Sequence, residues 1–188
     1  MSVAKVTWNS LRNGDLRGGD LHQVNLSGAD LSRAELSEAN LRGANLSGTE
    51  ISEADLSRAE LIEASLSEAN LSRADLRSTD LSEVDLLKVD LSEAELRSAA
   101  LESAKLVRAN LFRAELQGAD LTGANLRGAD LREADLSGAA LTGADLSGAD
   151  LTRADLTQQQ LEAATADENS RLPAELSVAL PPPLSPIA

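Results

Sequence analysis

Leucine recurs at every fifth residue from Leu11 to Leu161, and Ile51 is the only exception in the series. Two residues before each Leu stands a small residue, usually Ala, as at Ala29, Ala34, Ala39 and on to Ala154. Gly14, Gly19, Thr49 and Thr79 also fill that slot, and Val24, Val84 and Val89 widen it. The residue just before the Leu is usually Asp, Asn or Glu. A period of five suits neither regular element. Five helical residues rotate by about 500°, so successive Leu residues would leave any single face. In a strand, an odd spacing would send them to alternate faces. The pattern therefore predicts a bend in every repeat that returns each Leu to the inside, with Asp, Asn, Ser and Gly supplying the turn chemistry. Stacked turns then bury the Leu and Ala together, as a solenoid requires.

The units read Ala29-Asp30-Leu31-Ser32-Arg33 and Ala39-Asn40-Leu41-Arg42-Gly43. This resembles the pentapeptide-repeat family, whose pattern is A-[DN]-L-x-x, over roughly residues 12–160. The resemblance implies an all-β solenoid: a right-handed quadrilateral β-helix in which four pentapeptides make one square coil, so that residues twenty apart stack. Thirty repeats would give about 7–8 coils and a rod roughly 36 Å long at the usual strand spacing. Val6 keeps the Leu phase and Trp8 lies nearby, so residues 1–10 read as an N-terminal cap to the array at 11–160. Thr157 to Gln160 read as a capping box opening a short C-terminal capping helix, with residues 157–172 as helix and connection. All five Pro residues lie beyond the repeats, where no coil needs their N–H, and residues 173–188 read as a Pro-rich disordered tail.

Composition changes this picture by subtraction. Only Trp8 and Phe112 are aromatic, so the core must be Leu and Ala. Cys is absent and His22 is the single histidine, so a thiolate metal site or a histidine-based catalytic triad lacks members. No phosphate loop or dinucleotide fingerprint occurs. No cofactor, metal site or catalytic residue is expected. The formal net charge of −14 disfavours direct nucleic-acid binding. No apolar run is long enough to enter a membrane as a span, and a cytoplasmic location is the expectation.

Stacking at twenty-residue intervals lets outward columns be read by arithmetic. One column is entirely acidic: Asp15, Glu35, Asp55, Asp75, Glu95, Glu115, Asp135 and Asp155. Like charges stacked this closely repel, so the column reads as a candidate anionic stripe for a cationic partner. A second column alternates, through Arg33, Glu53, Arg73, Glu93, Arg113, Glu133 and Arg153, and predicts an ion-pair ladder. Leu87 and Val107, beside Lys88, Lys105, Arg108 and Phe112, form a candidate apolar and basic contact spot.

The expectation is a non-enzymatic protein-interaction or scaffold module that presents rigid acidic faces to a protein partner. The alternative comes from the resemblance: some members of the family protect or inhibit DNA gyrase by imitating duplex DNA. Against it stand the uninterrupted array and a C-terminal end that reads as covered by a polar helix, where gyrase-active relatives tend to dimerise through an apolar one. A homodimer is allowed but not indicated.

Overall fold

Every repeat closes one turn. The Leu carbonyl accepts a hydrogen bond from the N–H three residues on, as in Ala74 N to Leu71 O at 3.0 Å. The residue two after each Leu, from Asn13 to Arg153, is left-handed, with φ between 54° and 69°. That is the position at which a type II turn needs positive φ. The computed structural model describes residues 11–177, so the expected N-terminal cap and the tail beyond residue 177 lie outside the described residues.

The remaining backbone groups stitch coil to coil. Leu71 N donates to Asp90 O at 2.7 Å, Arg73 N to Ser92 O at 2.9 Å, and Asp75 N to Ala54 O at 2.9 Å. Parallel single-residue bridges link positions twenty apart, from Asp15↔Glu35 to Asp135↔Asp155, in four columns. The structure thus has four faces, named by their inward residues. Face 1 carries Leu31 and Ile51, face 2 Leu36 and Leu56, face 3 Leu41 and Leu61, and face 4 Leu46 and Leu66.

Of five N–H groups per repeat, four are satisfied by backbone. The fifth, one residue after the Leu, has no backbone acceptor. It is satisfied by a side chain two residues earlier, the position just before the Leu. All nineteen Asp and Asn residues at that position from Asp15 to Asp150 accept this bond through Oδ1. Glu35, Glu50, Glu60, Glu95 and Glu115 occupy the same position and make no such bond among the described residues. The shorter side chain reaches its own backbone two residues on, and one more methylene carries the carboxylate past it.

From Leu26 to Leu156 every Leu of the series is buried, with Ile51 among them, and so are the Ala residues two places earlier from Ala29. Each buried Leu is worth about 1.5–3 kcal/mol against exposure. Thr49 and Thr79 enter the core because their hydroxyls are satisfied, Thr79 Oγ1 donating to Leu56 O at 2.9 Å.

After Leu156 the turn is replaced by helix α1 (Gln158–Ala163), N-capped by Thr157 in a capping box with Gln160. Leu161 keeps the Leu phase and is buried. Gln160 Nε2 donates to Leu136 O at 2.7 Å and Ala139 O at 2.9 Å. Beyond the helix the chain continues the stack without the repeat. Thr165 bridges Asp145, and Arg171 bridges Asp150 at a spacing of twenty-one. Pro173 is buried, and Ser177 is hydrogen-bonded through its backbone to Gln158.

Candidate functional site

The acidic column lies on face 2, joined bridge by bridge from Asp15 and Glu35 through Asp55, Asp75, Glu95 and Glu115 to Asp135 and Asp155. It is not a bare stripe. Arg17 lies 2.8 Å from Asp15 and 3.1 Å from Glu35. Arg77 pairs with Asp75 and approaches Glu95 at 3.4 Å. Arg97 pairs with Glu115 and stands 3.9 Å from Glu95, and Gln117 Nε2 donates to Asp135 at 2.6 Å. The Arg77 side chain holds Asp75 below the usual carboxylate range against the opposing effect of burial. Four of the acids are also the Asp acceptors of the local backbone bond: Asp15, Asp55, Asp75 and Asp135. The column therefore has a structural account in each half. Four of its five Asp residues satisfy the orphan N–H, and each Glu pairs with an arginine on its own face. The acid-x-Arg spacing of Asp15 and Arg17, Asp75 and Arg77, and Glu95 and Arg97 was the sequence signal for this interleaving.

On face 1 the charge ladder forms as two triplets. Glu53 is shared by Arg33 at 2.7 Å and Arg73 at 3.2 Å; Glu133 is shared by Arg113 at 2.7 Å and Arg153 at 3.6 Å. Glu93, between them, makes no ion pair among the described residues. Arg113 turns toward Glu133, and its guanidinium lies 4.8 Å from the Phe112 ring centroid; Arg132 covers the same ring at 5.4 Å. Phe112 is thus half-buried under two cations of face 1.

The contact spot lies mainly on face 4. Leu87 is the one exposed large hydrophobic residue among those described, at 38%. Val107 stacks one coil away, half-buried. Lys88 is paired with Glu68 at 3.0 Å. Lys105 and Arg108 are exposed and make no ion pair among the described residues.

Face 3 carries the strongest charge imbalance, spread over columns that are each interrupted. Its outward acids are Asp20, Glu60, Glu63, Asp80, Glu83, Glu102 and Asp120, against a single arginine, Arg42. Among the described residues, the one contact between a basic side chain and an acid on this face is His22 Nδ1 with Asp20 at 2.6 Å. From Glu60 to Asp120 no cation answers the carboxylates among the described residues. Near its start, Asp20, His22, Asn40, Arg42 and Glu63 line a recess of about 460 Å³. Among the described residues no three His, Asp or Glu are placed to hold a metal ion, and no helix is long and apolar enough to cross a membrane.

The family described as Pentapeptide repeats matches at residues 10–48, 39–77, 49–86, 90–128 and 119–158. HetL, a pentapeptide repeat protein involved in heterocyst differentiation regulation from the cyanobacterium Nostoc sp. strain PCC 7120, is 36% identical. That match covers 85% of this chain and 83% of HetL, at a TM-score of 0.50. A trypsin-treated variant of QnrB1, a plasmid-mediated fluoroquinolone resistance protein, is 22% identical over 85% of this chain and 87% of its own, at a TM-score of 0.52, a likeness of fold alone. No curated protein sequence matches the chain. With its repeats matched along most of their length and its stacked four-sided coils shared with solved relatives that form right-handed quadrilateral β-helices, the chain belongs to the pentapeptide-repeat family.

Proposed function

We propose that this chain is a non-enzymatic protein-interaction module: a rod of 7–8 coils, closed at its C-terminal end by helix α1, that presents an acidic face to a cationic protein partner. The observation that carries the reading is face 3, where six carboxylates from Glu60 to Asp120 stand without a cation while face 2 interleaves its acids with arginines. Unpaired charge on a stiff surface steers a partner of opposite sign and sets its register. HetL, a relative involved in heterocyst differentiation regulation, has a role that suits binding rather than turnover.

The same face supports a second reading, DNA mimicry directed at gyrase. Six carboxylates in four successive coils of about 4.8 Å each give roughly one charge per 3.2 Å, about half the density of duplex DNA at ≈ 1.7 Å. The two readings part in one set of measurements. Replacing Glu60, Glu63, Asp80 and Glu83 by Gln or Asn is expected to abolish salt-sensitive capture of a partner. The matching face 2 variant, at Asp55, Asp75, Glu95 and Glu115, is expected to retain it. Equal loss in both, or in neither, sinks the assignment to face 3. A wild-type chain that leaves gyrase supercoiling unchanged at concentrations well above the enzyme's removes the second reading and leaves the first standing.

A further inference from the structure

The repeat itself shows what its fifth N–H binds: in nineteen repeats that group holds the carboxyl or amide oxygen of the residue two before it. In the unit at 104–108 the chain supplies Lys105 in place of the acceptor, and Lys105 is the only cation at this position anywhere in the array. The N–H of Val107 is consequently without an acceptor among the described residues, although Val107 is only half-buried. Other repeats that lack Asp or Asn leave the same N–H free, but beside a Glu, Ser or Ala. At Val107 the free N–H is bordered by two cations without ion pairs, Lys105 and Arg108, and by the exposed side chain of Leu87 one coil below. The flanking cations are engaged: Lys88 with Glu68 and Arg127 with Asp145.

We infer that Val107 N–H, Lys105 and Arg108 form a carboxylate-binding site on face 4, taking an acidic side chain of a partner protein segment whose adjoining apolar residue rests on Leu87 and Val107. The incoming carboxylate occupies the place that Asp holds in the other repeats, so the backbone geometry is already built. Two cations add charge-assisted hydrogen bonds, and the apolar pair supplies contact area that a free inorganic anion cannot use. The charge of the site is opposite to that of face 3, so it selects a different segment from the one that face 3 attracts.

The test uses the ¹⁵N-labelled full chain titrated with a capped peptide of alternating Leu and Asp, and with the same peptide carrying Asn for Asp. The Val107 amide resonance is expected to move and saturate with the acidic peptide and to respond about tenfold more weakly to the neutral one. Lys105→Asp restores the acceptor found in the other repeats. It should leave the rest of the spectrum in place and abolish the response, and Arg108→Ala should weaken it with the internal acceptor still absent. Equal responses to the two peptides, a response that survives Lys105→Asp and Arg108→Ala alike, or no movement of Val107 at all would overturn the inference. A Val107 shift that grows with protein concentration in the absence of peptide would assign the site to a second copy and overturn the occupant named here.

Discussion

A three-variant series at Asp80 separates the local role of the acid before each Leu from its charge. Asp80 Oδ1 accepts the Ser82 N–H at 3.0 Å and makes no ion pair among the described residues, so this bond is its main polar contact. Asp80→Asn keeps the acceptor and removes the negative charge that faces Glu60 across the bridge between coils. The expected change is near zero or slightly stabilising. Asp80→Ala removes the acceptor and should cost about 0.5–1.5 kcal/mol, the usual net worth of one hydrogen bond. Asp80→Glu keeps the charge but moves the carboxylate one methylene outward. It should behave like Ala, because none of the five Glu residues native to this position makes the bond. Denaturant midpoints give the ranking, and hydrogen exchange at the Ser82 amide gives a local readout that does not depend on all coils unfolding together. A Glu variant as stable as wild type, with Ser82 equally protected, would refute the reasoning.

Two further outcomes test the electrostatics. Glu133→Gln should lower the unfolding midpoint more than Glu93→Gln, because Glu133 bridges Arg113 and Arg153 while Glu93 bridges nothing, and the gap should close in molar salt; a gap unchanged by salt would count against it. The Asp167 carboxyl is held down to about 2, chiefly by the Gly148 N–H and then by the Asn169 side chain. Its folded pKa lies below the unfolded value, so its contribution is present above about pH 4 and is lost as pH falls toward 2. The Gly148 amide resonance should titrate in that window, and Asp167→Asn should flatten the titration.

The inward set was legible because burial acts on side-chain type, and five-residue spacing leaves Leu and Ala no other placement. The left-handed turn residue was legible only as an exclusion. Residues as different as Arg33, Glu83, Ser98 and Gly123 share the same positive φ, yet from Asn13 to Arg153 no β-branched or aromatic residue occurs there. One position earlier, Ile62, Val107, Phe112 and Thr122 are accepted. The face 2 acids are legible as an unbroken column, but the reach of Arg77 to Asp75 within a repeat and of Arg97 to Glu115 across one is not, because these pairs join neighbouring columns. Face 3 is less legible, because Ala100 and Ala140 interrupt its acids although no arginine answers them among the described residues. Past Leu161 the periodic signal stops while the stacking continues through Thr165 and Arg171, because the backbone bridges there impose no side-chain pattern.

The twenty-residue register also limits how such a chain can change length. Inserting one pentapeptide would leave every Leu inside and every hydrogen bond available. It would also turn all later repeats by a quarter revolution, so that downstream residues of face 3 would continue the columns of face 4. An insertion near its middle would break the bare acidic surface into two half-length patches at right angles. Insertion of twenty residues would lengthen the rod and keep every surface in line. For this architecture the unit of folding is five residues, but the unit by which a gene can grow without scrambling its exterior is twenty.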